Sequence, residues 1–389
     1  MVKRDILPEL LTLLAEYPVL TLIGPRQSGK TTLVKHFLEG YEYSNLEHPE
    51  TRQIAENDPK AYLAKFSGKV IIDEVQRVPE LLSYIQVMVD EAPQNGRFIL
   101  TGSHQLQLQE AVSQSLAGRT AVLTLLPLSI AELSQHGISY DAYTTYCIRG
   151  FYPRIYDQKM RPSQMYANYY RTYVERDVRQ LILLKDISLF EKFIKLLAGR
   201  VGQLVDYGGL SNDVGVDAKT IKNWISILEA SFIVFKLSPF YENFGKRVIK
   251  SPKYFFSDVG LLCYLLGIET EDQLARDPLV GNIFENLVVL ESAKTRYNQG
   301  LAANLYFFRD SNGNEVDLLF KKGRELVAIE IKSASTFFHK QLKGLEKFKQ
   351  VAKQCSQSFL IYNGENIELS NQTQVLNFKN TANIFSKDH

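Results

Sequence analysis

A chain of 389 residues and 44.4 kDa exceeds what one hydrophobic core organises, so two or three domains are expected. With 45% hydrophobic and 23% charged residues, 13 Pro and 23 Gly, the composition is that of a globular protein and excludes a disordered chain. The net charge of +2 permits contact with a polyanion through local clusters and does not by itself demonstrate one.

The longest apolar stretches, such as Leu261 to Leu266, fall far short of the ~20 residues a spanning helix needs, so no membrane partner is expected. The start, from Met1 through Lys3, Arg4 and Asp5 to Pro8 and Glu9, lacks the apolar core and small-residue site of a secretion signal. Cys147, Cys263 and Cys355 are widely spaced, as buried thiols of a reducing compartment are. These features together imply a cytoplasmic protein. Motifs place boundaries near residues 150 and 280. Residues 1–150 hold 13 Lys+Arg against 17 Asp+Glu, net −4, whereas 151–280 hold 18 against 15 and 281–389 hold 14 against 11, each +3.

From the N-terminus the pattern runs strand Val19–Ile23, helix from Lys30, strand Val70–Ile72, helix from Pro79, strand Phe98–Leu100. Short, nearly continuous Val/Ile/Leu runs alternating with amphipathic segments predict an α/β domain with a parallel sheet buried on both faces. After the first strand come Gly24, Pro25, Arg26, Gln27, Ser28, Gly29, Lys30 and Thr31, followed by Thr32. This is the phosphate-loop pattern with a strand before it and a helix after it. The glycines let successive amides turn toward a phosphate, and the helix aims its positive end at the same anion. Lys30 is expected to reach the β and γ phosphates of ATP, and the Thr31 hydroxyl to ligate Mg²⁺, a hard ion that takes oxygen donors.

The second strand ends in Asp73-Glu74. At the carboxyl edge of such a sheet, Asp73 is expected to hold Mg²⁺ and Glu74 to activate the water that attacks the γ-phosphate. The third strand ends in the polar tip Thr101-Gly102-Ser103. This order of phosphate loop, Asp-Glu strand and polar strand tip resembles the AAA+ ATPases. The resemblance implies that Ser103, or else Thr101, senses the γ-phosphate. It also implies that Arg119, in Leu116-Ala117-Gly118-Arg119, is an arginine finger supplied to a neighbouring subunit, and hence a homo-oligomeric ring or filament. A surface arginine after a glycine cap is the alternative.

Residues 129–205 read as helical, with one long amphipathic segment over 162–184. Arg149-Gly-Phe-Tyr-Pro153 and Tyr173-Val-Glu-Arg176-Asp177-Val resemble segments that follow such cores in one group of prokaryotic AAA+ proteins. Leu210 to Glu229 reads as two helices joined at Gly215-Val216-Asp217, a helix-turn-helix pattern with Asp217 as N-cap. Ile221, Trp224, Ile225 and Leu228 form its inner stripe and leave Lys219, Lys222, Asn223 and Ser226 outward. Lys246, Arg247, Lys250 and Lys253 then punctuate a stretch between aromatic runs, as in a winged-helix hairpin. Two roles stay open for this module: phosphate contacts to DNA, or packing with a solvated basic edge.

In the last part, Val316 to Phe320 and Leu326 to Ile331 flank Lys321-Lys322-Gly323-Arg324. A hairpin centred between 323 and 324 sets Asp317 opposite Glu330, and the two-residue strand period puts Lys332 on the face of Glu330. Facing carboxylates with a backbone carbonyl suit Mg²⁺ or Mn²⁺, and an adjacent lysine can position an attacking water. The pattern resembles the PD-(D/E)XK nuclease core, and the resemblance makes Glu285, on the preceding helix, a further acidic ligand. A fold kept for packing alone is the alternative.

The expected architecture is α/β throughout: a P-loop AAA+ ATPase domain over 1–150, a helical and winged-helix module over 151–280, and a nuclease-like domain over 281–389. The expected activity is Mg²⁺-dependent ATP hydrolysis coupled to nucleic-acid processing. The alternative is a nucleotide-switched assembly or partner-binding module whose C-terminal domain does not cut.

Overall fold

The computed structural model describes residues 2–103, 115–178, 187–240, 250–369 and 373–385. The chain divides into two compact units, the first built from Met1–Leu128 with Ala230–Phe232 and Tyr297–Leu301, the second from the remainder.

In the first unit β1 (Val19–Ile23), β2 (Glu42–Asn45), β3 (Val70–Asp73), β4 (Phe98–Gly102) and β5 (Thr120–Thr124) form one sheet in the order β2-β3-β4-β1-β5. Every pairing in it is parallel. Every residue of β1, β3 and β4 is buried, because helices cover both faces and leave no polar side to alternate with. Leu10 and Leu14 of the helix Leu7–Glu16 and Leu33 and Val34 of the helix Lys30–Phe37 pack with Leu20, Leu22, Ile71 and Ile99. This is the P-loop NTPase fold. Its consequence for function is geometric: β3, β4 and β1 are neighbours and run the same way, so the segments leaving their carboxyl ends meet at one edge.

The second unit opens with short helices whose caps are written in the sequence: Ser129 and Glu132 form a capping box on Ile130–Gln135, and Asp206 caps Tyr207–Val214. The expected single segment over 162–184 is instead an α-helix, Pro162–Tyr169, that widens into a π-helix over Tyr170–Val178; its remaining residues lie outside those described. Ile187–Ala198, Tyr207–Val214 and Ala218–Ala230 follow as helices. Phe190 and Phe193 pack against Trp224 with ring centroids 5.5 and 5.2 Å apart.

β6 (Val234–Pro239) and β7 (Lys253–Phe256) join β8 (Leu305–Arg309), β9 (Glu315–Lys322), β10 (Glu325–Lys332), β11 (Cys355–Tyr362), β12 (Ile367–Glu368) and β13 (Thr373–Asn377) in one mixed sheet. Its order is β12-β13-β11-β10-β9-β8-β6-β7. The middle and C-terminal segments therefore share a sheet, through Ser238↔Tyr306 and Pro239↔Phe307 between β6 and β8. β10 lies inside the sheet, between β9 and β11, and is no edge strand.

Candidate nucleotide site and a C-terminal charged cluster

The phosphate loop leaves β1 at Gly24 with φ 152°, where a Cβ would stand 2.1 Å from the Leu125 carbonyl oxygen, so only glycine fits. Gly29, at φ 97°, turns the chain into the helix Lys30–Phe37. Lys30 is buried, and its ammonium donates to the Gly24 and Pro25 carbonyls at 2.8 Å each. Burial pulls its pKa down to about 8, against the pull of Glu74 and Asp73. Ser28 Oγ is buried within the loop with no hydrogen-bond partner among the described residues, a polar atom that a bound phosphate would satisfy.

Across the sheet edge, Thr31 Oγ1 donates to Asp73 Oδ2 at 2.8 Å, which joins the loop helix to the end of β3. Tyr43 on β2 donates to the same oxygen at 2.7 Å, and Thr101 Oγ1 donates to Asp73 Oδ1. Burial, with the Asp73 carboxylate beside it, pushes the Tyr43 phenol up. The hydroxyl and carboxylate oxygens of Thr31 and Asp73 are the hard donor set that Mg²⁺ takes, so the residues present fit that ion and a bound nucleotide.

Glu74 follows in the left-handed region at φ 58°, a strained position for a residue with a side chain, and its N–H donates to Thr101 Oγ1 at 3.3 Å. Its Oε2 accepts from Ser103 Oγ at 3.1 Å and from Gln76 Nε2. Gln76 Oε1 is itself buried with no hydrogen-bond partner among the described residues. The edge thus gathers Lys30, Thr31, Asp73, Glu74 and Ser103, while Thr101 holds Asp73. Sequence reasoning missed Tyr43 and Gln76, since nothing local in Tyr43-Ser-Asn or Val75-Gln-Arg marks their partners. Arg26 and Arg77 both pair with Glu47, at 3.2 and 3.1 Å. Arg119 stands away from this group on the surface, where it pairs with Asp90 at 2.6 and 2.9 Å.

In the second unit the β9–β10 register runs from Glu325↔Lys322 to Ile329↔Leu318, the register of a hairpin centred between 323 and 324, and carries Glu330 to the side of Asp317. Lys332 Nζ lies 2.6 Å from Glu330 Oε1 and 3.3 Å from Asp317 Oδ2, and Ile331 N–H donates to Asp317 Oδ2 at 2.8 Å. Glu330 Oε2 is buried without a hydrogen-bond partner among the described residues. Burial pushes the carboxyls of Glu285 and Glu330 up, to about 7 and about 8.

Glu285, on the helix Val280–Asn298, is taken by Lys253 at 2.9 Å, and Lys253 also reaches Glu315 Oε1 at 2.7 Å. Glu315 was not among the expected residues. Lys253 itself corrects an expectation: it is 3% exposed and committed to two carboxylates, so it is closed to nucleic acid. Burial alone would lower its pKa, but Glu285, Asp317 and Glu315 outweigh that and raise it. Among the described residues no three or more His, Cys, Asp or Glu side chains are grouped to hold a metal ion. The Lys332 ammonium beside Asp317 and Glu330 is the expected arrangement, but with the buried Lys253 ammonium held between Glu285 and Glu315 the C-terminal cluster does not fit a divalent cation as it stands.

Lys219, Lys222, Asn223 and Ser226 are exposed on the helix Ala218–Ala230, whose Ile221, Trp224, Ile225 and Leu228 are buried. Asp217 caps it, accepting from Thr220 N–H at 2.8 Å. Lys250 is exposed, and Lys246 and Arg247 lie outside the described residues.

Residues 16–134 match the family described as "AAA domain", residues 140–272 "Domain of unknown function (DUF8612)" and residues 280–380 "Domain of unknown function (DUF4143)". A protein of Mycobacterium tuberculosis, "Uncharacterized protein Rv2008c", is 32% identical over 345 residues, covering 86% of this chain and 74% of that protein. An "Uncharacterized protein" of Haemophilus influenzae is 23% identical over 343 residues, covering 79% and 80%. Among solved structures, the Walker-type ATPase PABY2304 of Pyrococcus abyssi aligns with a TM-score of 0.46 at 14% identity, over 67% of this chain and 94% of that one.

Proposed function

We propose, for a chain that belongs to one family with its mycobacterial relative and whose residues 16–134 match the AAA domain, that the first unit binds ATP with Mg²⁺ and hydrolyses it. The observation that carries this reading is the 2.8 Å bond from Thr31 to Asp73, which ties the phosphate loop to the acidic strand end with Glu74 as the next residue. In this reading the loop amides from Gly24 to Thr32 and Lys30 bind the phosphates, and Thr31 and Asp73 hold the metal. Mg²⁺, when bound, supplies charge neutralisation on the phosphates. Glu74 takes the proton of the attacking water, and Ser103 and Gln76 set the direction of its carboxylate. Arg119 leaves Asp90 to complete the site of a neighbouring copy, which makes turnover depend on assembly.

Phosphate release and ATP binding test these roles together. Lys30→Ala is expected to abolish binding, whereas Glu74→Gln binds ATP and turns over roughly a hundredfold more slowly. An unchanged rate in Glu74→Gln removes Glu74 from the mechanism. Specific activity is expected to rise with protein concentration in the wild type and to stay low and flat in Arg119→Ala.

For the second unit two uses compete: nucleic-acid processing by a cutting PD-(D/E)XK domain, and partner binding switched by the nucleotide state. The Lys253 ammonium seated on Glu285 and Glu315 favours the second.

A further inference from the structure

Lys253 is an unusual cation for a sheet. Its Nζ lies 2.9 Å from Glu285 Oε1 and 2.7 Å from Glu315 Oε1, and 5.3 Å from the centroid of the Phe307 ring. The residue is 3% exposed, so water contributes little to its solvation and the carboxylates and ring replace it. The backbone is held as firmly as the side chain. Lys253 pairs with Leu237 in β6 and forms a bridge with Leu204, while Val205 N–H donates to the Pro252 carbonyl at 3.0 Å and Gly202 N–H to that of Tyr254 at 3.1 Å. A flanked strand of this kind delivers its ammonium to one place.

That place is where the charge problem of the cluster is solved. Glu285, Glu315, Asp317 and Glu330 come from one helix and two strands. Unbalanced carboxylates gathered in a buried site repel one another and require cations. Lys253 serves Glu285 and Glu315, Lys332 serves Asp317 and Glu330, and Arg309 adds a bond to Glu315 at 2.9 Å. A divalent ion entering beside Glu285 would have to displace a fixed, fully ion-paired ammonium.

We propose that Lys253 is the resident cation of this acidic cluster and stands where the acidic ligands would otherwise take a divalent metal, so that the second unit is built closed to metal. The second unit is then a recognition module, and substitution of one side chain opens its metal site. The inference concerns the second unit alone and does not depend on ATP turnover in the first.

Titration of nucleotide-free protein with Mn²⁺, followed by electron paramagnetic resonance, tests it, with Asp317→Asn as the reporter of site. The wild type is expected to show no Mn²⁺ binding that Asp317→Asn removes. Lys253→Ala is expected to gain one Mn²⁺ site, at least about tenfold tighter than any wild-type binding, that is lost in Lys253→Ala/Asp317→Asn. Wild-type Mn²⁺ binding that Asp317→Asn abolishes overturns the proposal, and this arm needs no change at Lys253. A Lys253→Ala protein with a native thermal transition and no gain of metal overturns it too. If Lys253→Ala is destabilised without metal, its melting temperature is expected to rise with Mn²⁺ and not in Mn²⁺-free buffer of equal ionic strength; no rise counts against the proposal. ATP hydrolysis measured in parallel separates any failure of the first unit from failure of this inference.

Discussion

Lys30 shows how burial turns a binding residue into a pH-sensitive one. In the free protein its ammonium titrates near pH 8 because burial removes water from it. A bound triphosphate restores the charge, so binding above that pH takes up a proton. ATP affinity is therefore expected to be nearly flat below about pH 8 and to fall above it, approaching about tenfold per pH unit. Calorimetry in buffers of different ionisation heat checks the proton uptake. Folding stability has the opposite sign: the unfolded lysine keeps its proton up to its ordinary 10.5, so the nucleotide-free protein gains stability as pH rises from about 8 toward that value. Tyr43 offers a second test. Its hydroxyl shares Asp73 Oδ2 with Thr31, so it positions the carboxylate. Tyr43→Phe is expected to raise the half-saturating Mg²⁺ concentration of hydrolysis roughly tenfold while kcat at saturating Mg²⁺ changes little. Lys30, Thr31, Asp73 and Glu74 were legible because their chemistry follows from neighbours in the chain. Tyr43 and Gln76 were not, because their partners arrive from other strands.

Among the elements, the strands that the sequence announces are those buried on both faces. Val19–Ile23, Val70–Asp73 and Phe98–Gly102 read directly from continuous apolar runs. β2, Glu-Tyr-Ser-Asn, carries no such run and exists because Glu42 to Asn45 pair in register with Val70 to Asp73. The β9–β10 hairpin was legible in register because Gly323, at φ 63°, marks the turn and the flanking runs leave one centre. Gly24 gives the sharpest prediction at this scale. A methyl group there meets the carbonyl of Leu125, a residue held against β1 by its N–H, which donates to the Ile23 carbonyl at 2.8 Å. Gly24→Ala is expected to lose ATP binding and to cost about 2 kcal/mol or more of stability, read from denaturant unfolding.

Over the whole molecule, the charge changes sign along the chain, from −4 over residues 1–150 to +3 in each later part. Lys219 and Lys222 are exposed on the helix Ala218–Ala230, whereas Lys253 is spent internally. If that face binds DNA, log affinity falls linearly with log salt, and Lys219→Ala/Lys222→Ala reduces the slope by about two phosphate contacts. Filter binding across a salt series measures it, and a flat response assigns the face to packing or protein partners. The amino-acid order alone determined the phosphate loop, the acidic strand end, the helix caps and the hairpin register, because each depends on contacts within a few residues or on a two-residue or 3.6-residue period. Only the tertiary structure decided that β6 and β7 join the C-terminal strands in one sheet, that Tyr43 and Gln76 serve Asp73 and Glu74, and that Lys253 faces Glu285 rather than solvent. Those outcomes depend on which groups from distant segments are desolvated together, and a buried charge takes whichever opposite charge the fold brings within reach.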